Sequence, residues 1–191
     1  NRFFNLLDER EKECALRFRF PPHRDAYIIS HGLLRQLIGA LLGKNATDIA
    51  FKRYANGKPY IDEKIGQNKL HFSLSHSEQG LCIALQLSNA VGADIEIVRS
   101  VEPFQYLIQT YFSSNEKKQI QNSSDAREFF KLWTQKEAIG KVNGQGIVNF
   151  KSLKLPDGYT LYTSSYGNYV VSVCHHSSSQ INTVVMSEVT V

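Results

Sequence analysis

Residues 130–141 read FKLWTQKEAIGK, and the fold prediction for this chain begins with them. They follow the D-x-x-E pattern of residues 125–128, a capping box that predicts the start of a helix. On this helix Trp133, Glu137 and Lys141 recur at every fourth position and share one face. A Glu–Lys pair at this spacing is common on solvated helices. The helix alone therefore leaves its function open.

A second stretch, GADIEI at residues 92–97, predicts a strand that carries two acids. Apolar residues alternate with Asp94 and Glu96, so both carboxylates project from the same face of the strand. Neighbouring like charges repel. Mg²⁺ would remove that repulsion, because it takes one or two carboxylates and completes its shell with water and phosphate oxygens. A solvated strand end with two surface acids explains the pattern equally well.

Periodic patterns elsewhere predict helices followed by strands in each half of the chain. The other predicted helices span residues 8–20, 24–42, 104–112 and 113–120. Pro21 and Pro22 are expected to end the first helix, and Ser113 and Glu116 form a capping box for the last. The other predicted strands span residues 49–54, 70–74, 80–87, 147–155, 159–163, 169–174 and 181–191. The strand at 80–87 is expected to form a hairpin with the Asp94 strand.

Taken in order, the motifs of this chain resemble those of the 4′-phosphopantetheinyl transferases of the Sfp (surfactin) type. The matching residues are Asn56-Gly57-Lys58-Pro59, Phe72-Ser73-Leu74-Ser75-His76-Ser77, Gly92-x-Asp94-x-Glu96, and Trp133-x-x-Lys136-Glu137-Ala138 with Lys141. The resemblance runs from about Arg24 to Ile147. Any one motif would be weak, but four in the same order are specific.

The resemblance implies an α+β protein of two similar α/β-type subdomains in a pseudo-twofold arrangement, each a small antiparallel sheet packed with helices. Residues 1–99 would form the N-terminal subdomain, on the coenzyme A side, ending in the strand of Asp94 and Glu96. Residues 100–191 would form the C-terminal subdomain, with the helix Trp133–Lys141 and the last strands. The active site is expected in the cleft between them.

The implied reaction transfers 4′-phosphopantetheine from coenzyme A to a serine hydroxyl of an apo carrier protein and releases adenosine 3′,5′-bisphosphate. By resemblance, Asp94, Glu96 and Glu137 would hold Mg²⁺, or Mn²⁺ in its place. Glu137 would also be the general base, and Lys141 would steady charge on the departing phosphate. The nucleophile belongs to the carrier, which agrees with the lack of a Gly-x-Ser-x-Gly motif in the chain.

Coenzyme A would be held by side chains from several motifs. The resemblance assigns to it Arg53, Lys58, Ser75, His76, Asp94, Lys136 and Lys141. Arg24 is a further candidate, because it lies at the N-terminal end of a predicted helix, where a phosphate readily binds. A further basic residue for the nucleotide phosphate is expected near Arg10 or Lys12. A Ser75–His76 nucleophile pair is a rival interpretation, disfavoured because adjacent residues point in different directions.

The composition of the chain limits the classes of binding partner and the cellular compartment that we expect. There are 22 basic and 18 acidic residues among 191, a mild net charge of +4, which does not predict a nucleic-acid binder. It suits an anionic small molecule or an acidic carrier protein. The sequence has no apolar run of membrane-spanning length, and its three cysteines lack metal-ligand spacing, so we expect a cytoplasmic protein with reduced thiols. The two-unit layout favours a monomer.

Two other classes of function remain as alternatives. One is a non-catalytic coenzyme A or carrier-protein binding module of the same fold. The other is a different Mg²⁺-dependent phosphotransferase or nuclease using the same acids. The second would not explain Lys58 and His76 at their positions.

Overall fold

The computed structural model describes residues 2–144, 146, 150–178 and 183–188, the last range by its backbone. The α-helices in these residues are α1 (Glu9–Leu16), α2 (Pro21–Leu42), α3 (Gln105–Tyr111), α4 (Ser114–Asn122) and α5 (Arg127–Asn143). The strands are β1 (Lys52–Arg53), β2 (Pro59–Tyr60), β3 (Lys64–Ile65), β4 (Asn68–Ser77), β5 (Gly80–Leu87), β6 (Gly92–Ile97), β7 (Tyr159–Tyr166), β8 (Tyr169–His176) and β9 (Thr183–Glu188). Short 3₁₀ turns lie at Phe4–Leu6, Ala46–Asp48, Glu102–Phe104 and Phe150–Ser152.

The strands form small antiparallel sheets, and the α+β prediction is confirmed. One sheet has the order β3-β4-β5-β9, a second has the order β6-β8-β7, and β1 pairs with β2. Helix α2 packs on the first sheet through Leu34 and Ile38, which meet Phe72 and Ile83. A second core includes Phe112, Phe129, Phe130 and Val170. None of the helices in the described ranges is long and apolar enough to cross a membrane.

The predicted hairpin between the strand at 80–87 and the Asp94 strand is wrong. Both edges of β5 are already occupied, one by β4 and the other by β9. Strand β6 therefore leaves that sheet and pairs with β8, with Asp94 opposite Ser172 and Glu96 opposite Val170. As a result, the two acids lie in a different sheet from the strand that precedes them in the chain.

Strand pairing crosses residues 99 and 100, where the two subdomains were predicted to meet. Strand β6 comes before this point but lies in the sheet of β7 and β8, whereas β9 comes after it but lies in the sheet of β4 and β5. The division into residues 1–99 and 100–191 stays a prediction. The two larger sheets, however, are each built from both parts of the chain.

Helix α1 is attached to α2 by a buried ion cluster. Asp8 and Glu11 form a capping box at the start of α1, which the sequence analysis did not identify. The guanidinium of Arg35, fully buried on α2, lies 2.6 Å from Asp8 Oδ2 and 2.6 Å from Glu11 Oε2, and donates to the carbonyl of Ile49 at 2.7 Å. Burial raises the pKa of Glu11, and Arg35 opposes that shift.

Several predicted helix limits need correction. The first helix ends at Leu16, and Pro21 and Pro22 are the first residues of α2, where a proline needs no hydrogen-bond partner for its nitrogen. The capping box of Ser113 and Glu116 is confirmed. The capping box predicted at residues 125–128 does not form, because α5 begins at Arg127 with no side-chain cap. Glu128, the glutamate of the predicted box, instead accepts a hydrogen bond from Gln119 Nε2 at 2.6 Å.

Two predicted strands are also shorter or absent. Of residues 49–54, only Lys52–Arg53 is a strand. Residues 147–149 lie outside the described part of the chain, and the rest of the strand predicted at 147–155 is wrong, because Phe150–Ser152 is a 3₁₀ turn. In the segment predicted at 181–191, the described residues Thr183–Glu188 are a strand, as expected.

Gly92 brings β6 close to α5. A Cβ atom added at this position would lie 1.9 Å from the carbonyl oxygen of Ala138. The strand that carries the two acids therefore lies almost in backbone contact with the helix of Glu137 and Lys141. Glycine is needed here for space, not for an unusual backbone conformation.

We predict that Gly92→Ala separates β6 from α5. Because helix backbone cannot yield as a flexible side chain can, the variant should lose about 1–3 kcal/mol of unfolding free energy, a typical cost of overpacking. Urea denaturation followed by circular dichroism would measure it. Gly66→Ala is the control for adding a methyl group without crowding, since a Cβ there meets nothing within 4 Å, although its positive φ adds a strain of its own. Equal stability of Gly92→Ala and the unaltered chain would contradict the prediction.

Candidate active site

Asp94 is the most buried of the predicted site carboxylates. Its Oδ1 accepts hydrogen bonds from Ser75 Oγ at 2.6 Å and from Lys141 Nζ at 2.8 Å. Its Oδ2 is buried and has no hydrogen-bond partner among the described residues. An orphaned buried carboxylate oxygen is costly. This oxygen therefore has a free coordination position.

Glu96 lies two residues further along the same face of β6. Its Oε2 accepts a hydrogen bond from Ser77 Oγ at 2.7 Å. Burial raises the pKa of Glu96, the Ser77 hydrogen bond opposes this, and the charge of Asp94 adds to it. The two acids thus lie on the same face of β6, as the alternation of the sequence predicted, and this face is turned towards β4.

Helix α5 brings Glu137 to these acids. Burial, together with the charges of Asp94 and Glu96, raises the pKa of Glu137 to about 7, although Lys141 opposes the shift. All three carboxyl groups therefore act on one another. Within the described residues, however, no three histidine, cysteine, aspartate or glutamate side chains have the arrangement of a ready metal site.

Lys141 occupies part of the acid cluster. Its ammonium lies 2.8 Å from Asp94 Oδ1 and donates to the carbonyl of Ala93 at 2.9 Å. One ammonium offsets one of three acids and leaves Asp94 Oδ2 without a partner. Carboxylate oxygens of this kind are the ligands that Mg²⁺ and Mn²⁺ take. The donor set fits such an ion.

The turn at residues 56–59 closes the end of α5. Asn56 Nδ2 donates to the carbonyl of Gly144 at 2.7 Å, and Lys58 Nζ donates to the carbonyl of Lys141. These bonds satisfy carbonyls that a helix leaves free at its C-terminus. Burial and the charge of Lys141 lower the pKa of Lys58. Sequence reasoning missed this cap, because the partners lie more than eighty positions apart.

A cavity of about 740 Å³ opens beside the acid cluster. Its wall carries five cations, Arg10, Arg17, Arg53, Lys58 and Lys141, and three acids, Asp8, Glu11 and Glu13, so the cations outnumber the acids. Lys141 belongs to both the wall and the acid cluster. Of the two cations proposed near the N-terminus, Arg10 lies in the wall, whereas Lys12 pairs with Glu9 at 2.8 Å. Arg17 was missed because it follows the true end of α1 and was taken for a residue within a longer helix.

Aromatic rings from α2 also line the cavity. Tyr27 and His31 stack with their ring centroids 3.8 Å apart, and His31 Nδ1 lies 3.0 Å from the carbonyl of Tyr27. Burial lowers the pKa of His31 to about 4, so the ring is neutral near pH 7. The sequence showed α2 as a core helix, and its periodicity gave no sign that these two rings face a cavity.

Three of the residues predicted to bind coenzyme A, Lys136, Arg24 and His76, do not line the cavity. The Lys136 ammonium is buried, 2.7 Å from the carbonyl of Phe150 and 2.8 Å from Glu116, and its assignment to coenzyme A stays a prediction. Arg24 lies 3.4 Å from Asp25 and is not part of the cavity wall. His76 keeps an exposed surface on β4, close enough to Lys141 and Asp94 for both charges to act on its pKa.

Comparison with known families accounts for both parts of the chain. Residues 1–88 match the model described as 4′-phosphopantetheinyl transferase, N-terminal. Residues 90–184 match the model of the 4′-phosphopantetheinyl transferase superfamily. The chain belongs to the 4′-phosphopantetheinyl transferase family.

Individual relatives carry the same name. The chain is 30% identical over 152 residues to 4′-phosphopantetheinyl transferase HetI of Nostoc sp., covering 78% of this chain and 64% of HetI. It is 30% identical to 4′-phosphopantetheinyl transferase gsp of Aneurinibacillus migulanus, covering 75% of this chain and 60% of gsp. It is 29% identical to psf-1 of Bacillus pumilus, covering 72% and 58%. The chain thus spans about three fifths of the length of the curated relatives it matches.

Proposed function

We propose that this member of the 4′-phosphopantetheinyl transferase family moves 4′-phosphopantetheine from coenzyme A to a serine hydroxyl of an apo carrier protein. The observation that carries the proposal is the position of Lys141. Its ammonium joins the cluster of Asp94, Glu96 and Glu137 to a cavity with a cationic wall. A diphosphate bound in that cavity would reach the acids at Lys141.

The side chains of the acid cluster would have three roles: metal binding, proton transfer and stabilisation of the leaving group. Asp94, Glu96 and Glu137 would hold Mg²⁺, which supplies charge neutralisation to the diphosphate when bound. Glu137, with its pKa raised to about 7, can accept the proton of the attacking serine near neutral pH. Lys141 would stabilise charge on the leaving phosphate. The serine of the carrier would be the nucleophile.

The phosphates of coenzyme A would bind to the cationic wall. Arg10, Arg17 and Arg53 line this wall, and guanidinium groups bind phosphate with paired hydrogen bonds. Arg17 lies 3.8 Å from Glu13, and Arg53 donates to the carbonyl of Gly57 at 2.9 Å, both on the exposed surface. Lys58 would act partly through the helix end that it caps. Ser75 would act through Asp94, to which its hydroxyl is bonded.

Several finer features belong to the same proposal. They are an Sfp-type arrangement of two subdomains in one chain, a site in the cleft between them, a monomeric state, an acidic carrier protein and a cytoplasmic location. The cationic cavity and the mild positive charge of the chain support the acidic partner.

A mass-shift assay tests the proposal. The chain, coenzyme A, Mg²⁺ and an apo carrier are incubated, and intact-protein mass spectrometry follows the carrier. We expect the carrier to gain the mass of one phosphopantetheine group when Mg²⁺ is present and to stay unchanged in EDTA. A carrier variant with alanine at the acceptor serine is the control. Binding of coenzyme A without any mass shift, across a panel of carriers, would instead favour the non-catalytic binding module.

A further inference from the structure

Three serines on one face of β4 connect this strand to β6. Ser73, Ser75 and Ser77 alternate along β4, and each bonds to β6. The two strands share no backbone ladder, because β4 pairs with β3 and β5 while β6 pairs with β8. The opposite face of β4 packs Leu70 and Phe72 into the core under α2. Serine side chains thus supply the polar contacts across this junction.

The three hydroxyl groups make different bonds. Ser73 Oγ accepts from the backbone nitrogen of Ala93 at 2.9 Å and touches no carboxylate. Ser75 Oγ donates to Asp94. Ser77 Oγ accepts from the backbone nitrogen of Ile97 at 3.2 Å and donates to Glu96 Oε2 at 2.7 Å.

The direction of the Ser77 bond is determined by its surroundings. Ser77 is buried, and its oxygen already receives the N–H of Ile97, so the hydroxyl proton is free to point at Glu96. Arg99 is a cation near that carboxylate, but its side chain is half exposed and its guanidinium lies 4.0 Å from Glu96 Oε2. Ser77 is therefore the closest fixed donor to Glu96 among the described residues.

We propose that Ser77 is a positioning residue that holds the Glu96 carboxylate in the acid cluster. The inference rests on the proposed function, in which Glu96 helps to bind Mg²⁺. A glutamate has three rotatable side-chain bonds and loses considerable freedom when it is held in place. A hydrogen bond from a buried hydroxyl holds the carboxylate in one orientation before the ion binds, and such supporting bonds matter greatly for metal affinity.

Calorimetric titration of Mg²⁺ into the full chain tests this role. We expect Ser77→Ala to weaken Mg²⁺ binding by about 10- to 100-fold, as removal of a supporting hydrogen bond does elsewhere. Ser73→Ala is the matched control, since it removes a hydroxyl from the same junction without touching a carboxylate. It should lower the Tm as Ser77→Ala does, yet leave Mg²⁺ affinity within about threefold. Ser77→Thr, which keeps the hydroxyl, should restore most of the affinity.

The outcomes separate the two proposals. Unchanged Mg²⁺ affinity in Ser77→Ala would overturn the positioning role, and so would an equal loss in Ser73→Ala, which would make the junction merely structural. If the unaltered chain bound no Mg²⁺, the metal assignment within the proposed function would fall. That result is obtained before any variant is compared.

Discussion

Replacing Glu137 with glutamine should abolish most transfer while leaving coenzyme A bound. Glutamine keeps the size of the side chain but cannot accept the serine proton, and general-base catalysis typically contributes about 100- to 10,000-fold to the rate. We expect a fall in kcat of that size, with the dissociation constant for coenzyme A nearly unchanged. Mass spectrometry of the carrier in quenched time courses would measure kcat, and calorimetric titration with coenzyme A would measure the dissociation constant.

The control for this variant lies on the same helix. Glu128→Gln makes the same chemical change at the other end of α5, where the side chain bonds to Gln119 away from the acid cluster. It should leave turnover essentially unaltered.

The Mg²⁺ dependence of the rate separates the two roles of Glu137. If saturating Mg²⁺ restores the rate of Glu137→Gln, the residue is mainly a metal ligand. Normal turnover at every Mg²⁺ concentration would refute both roles.

Replacing Arg35 with alanine should destabilise the protein severely. The change leaves Glu11 buried without its guanidinium partner and frees two backbone carbonyls that Arg35 now satisfies. Breaking a buried ion pair in this way typically costs about 3–5 kcal/mol. Urea denaturation near neutral pH would show the loss. Lys52→Ala is the control, because Lys52 pairs with Asp62 at 2.9 Å on the exposed surface, and its removal should barely change stability.

The pH dependence of the Arg35→Ala deficit checks its cause. Burial already raises the pKa of Glu11, and loss of Arg35 should raise it further. A carboxyl group with a raised pKa in the folded state destabilises that state above its ordinary pKa and not below it. The difference between the variant and the unaltered chain should therefore shrink as the pH falls from the Glu11 pKa of the variant to that of the unaltered chain, both above the usual glutamate value. A difference independent of pH would indicate lost packing rather than an uncompensated charge.

The sequence was sufficient for local features of the site. Period-two alternation placed Asp94 and Glu96 on one face of a strand, and period-four spacing placed Glu137 and Lys141 on one face of a helix; Ser75, Glu137 and Lys141 indeed act on Asp94. Alternation and helical spacing depend on backbone geometry that the chain imposes by itself. Local patterns could therefore be read without knowing the fold.

Features that depend on distant partners could not be read in this way. Lys136 lies beside Glu137 in the motif, but the geometry of α5 turns it to Phe150 and Glu116, and nothing in its neighbours shows that. The failed hairpin between β5 and β6 has the same cause, since the competing strand β9 begins about a hundred residues later. The hydrogen bond from Ser77 to Glu96 could not be predicted, because nothing in the sequence indicated that β4 and β6 lie in contact.

The place of β9 has a consequence for how the chain is made. Strand β5 receives its second partner from residues 183–188, so this sheet joins segments about a hundred positions apart. Contacts of such long range form slowly, because a large loop must close first. During synthesis the apolar edge of β5 emerges from the ribosome long before its partner. Until β9 has been synthesised, that edge is an open site for aggregation or chaperone capture.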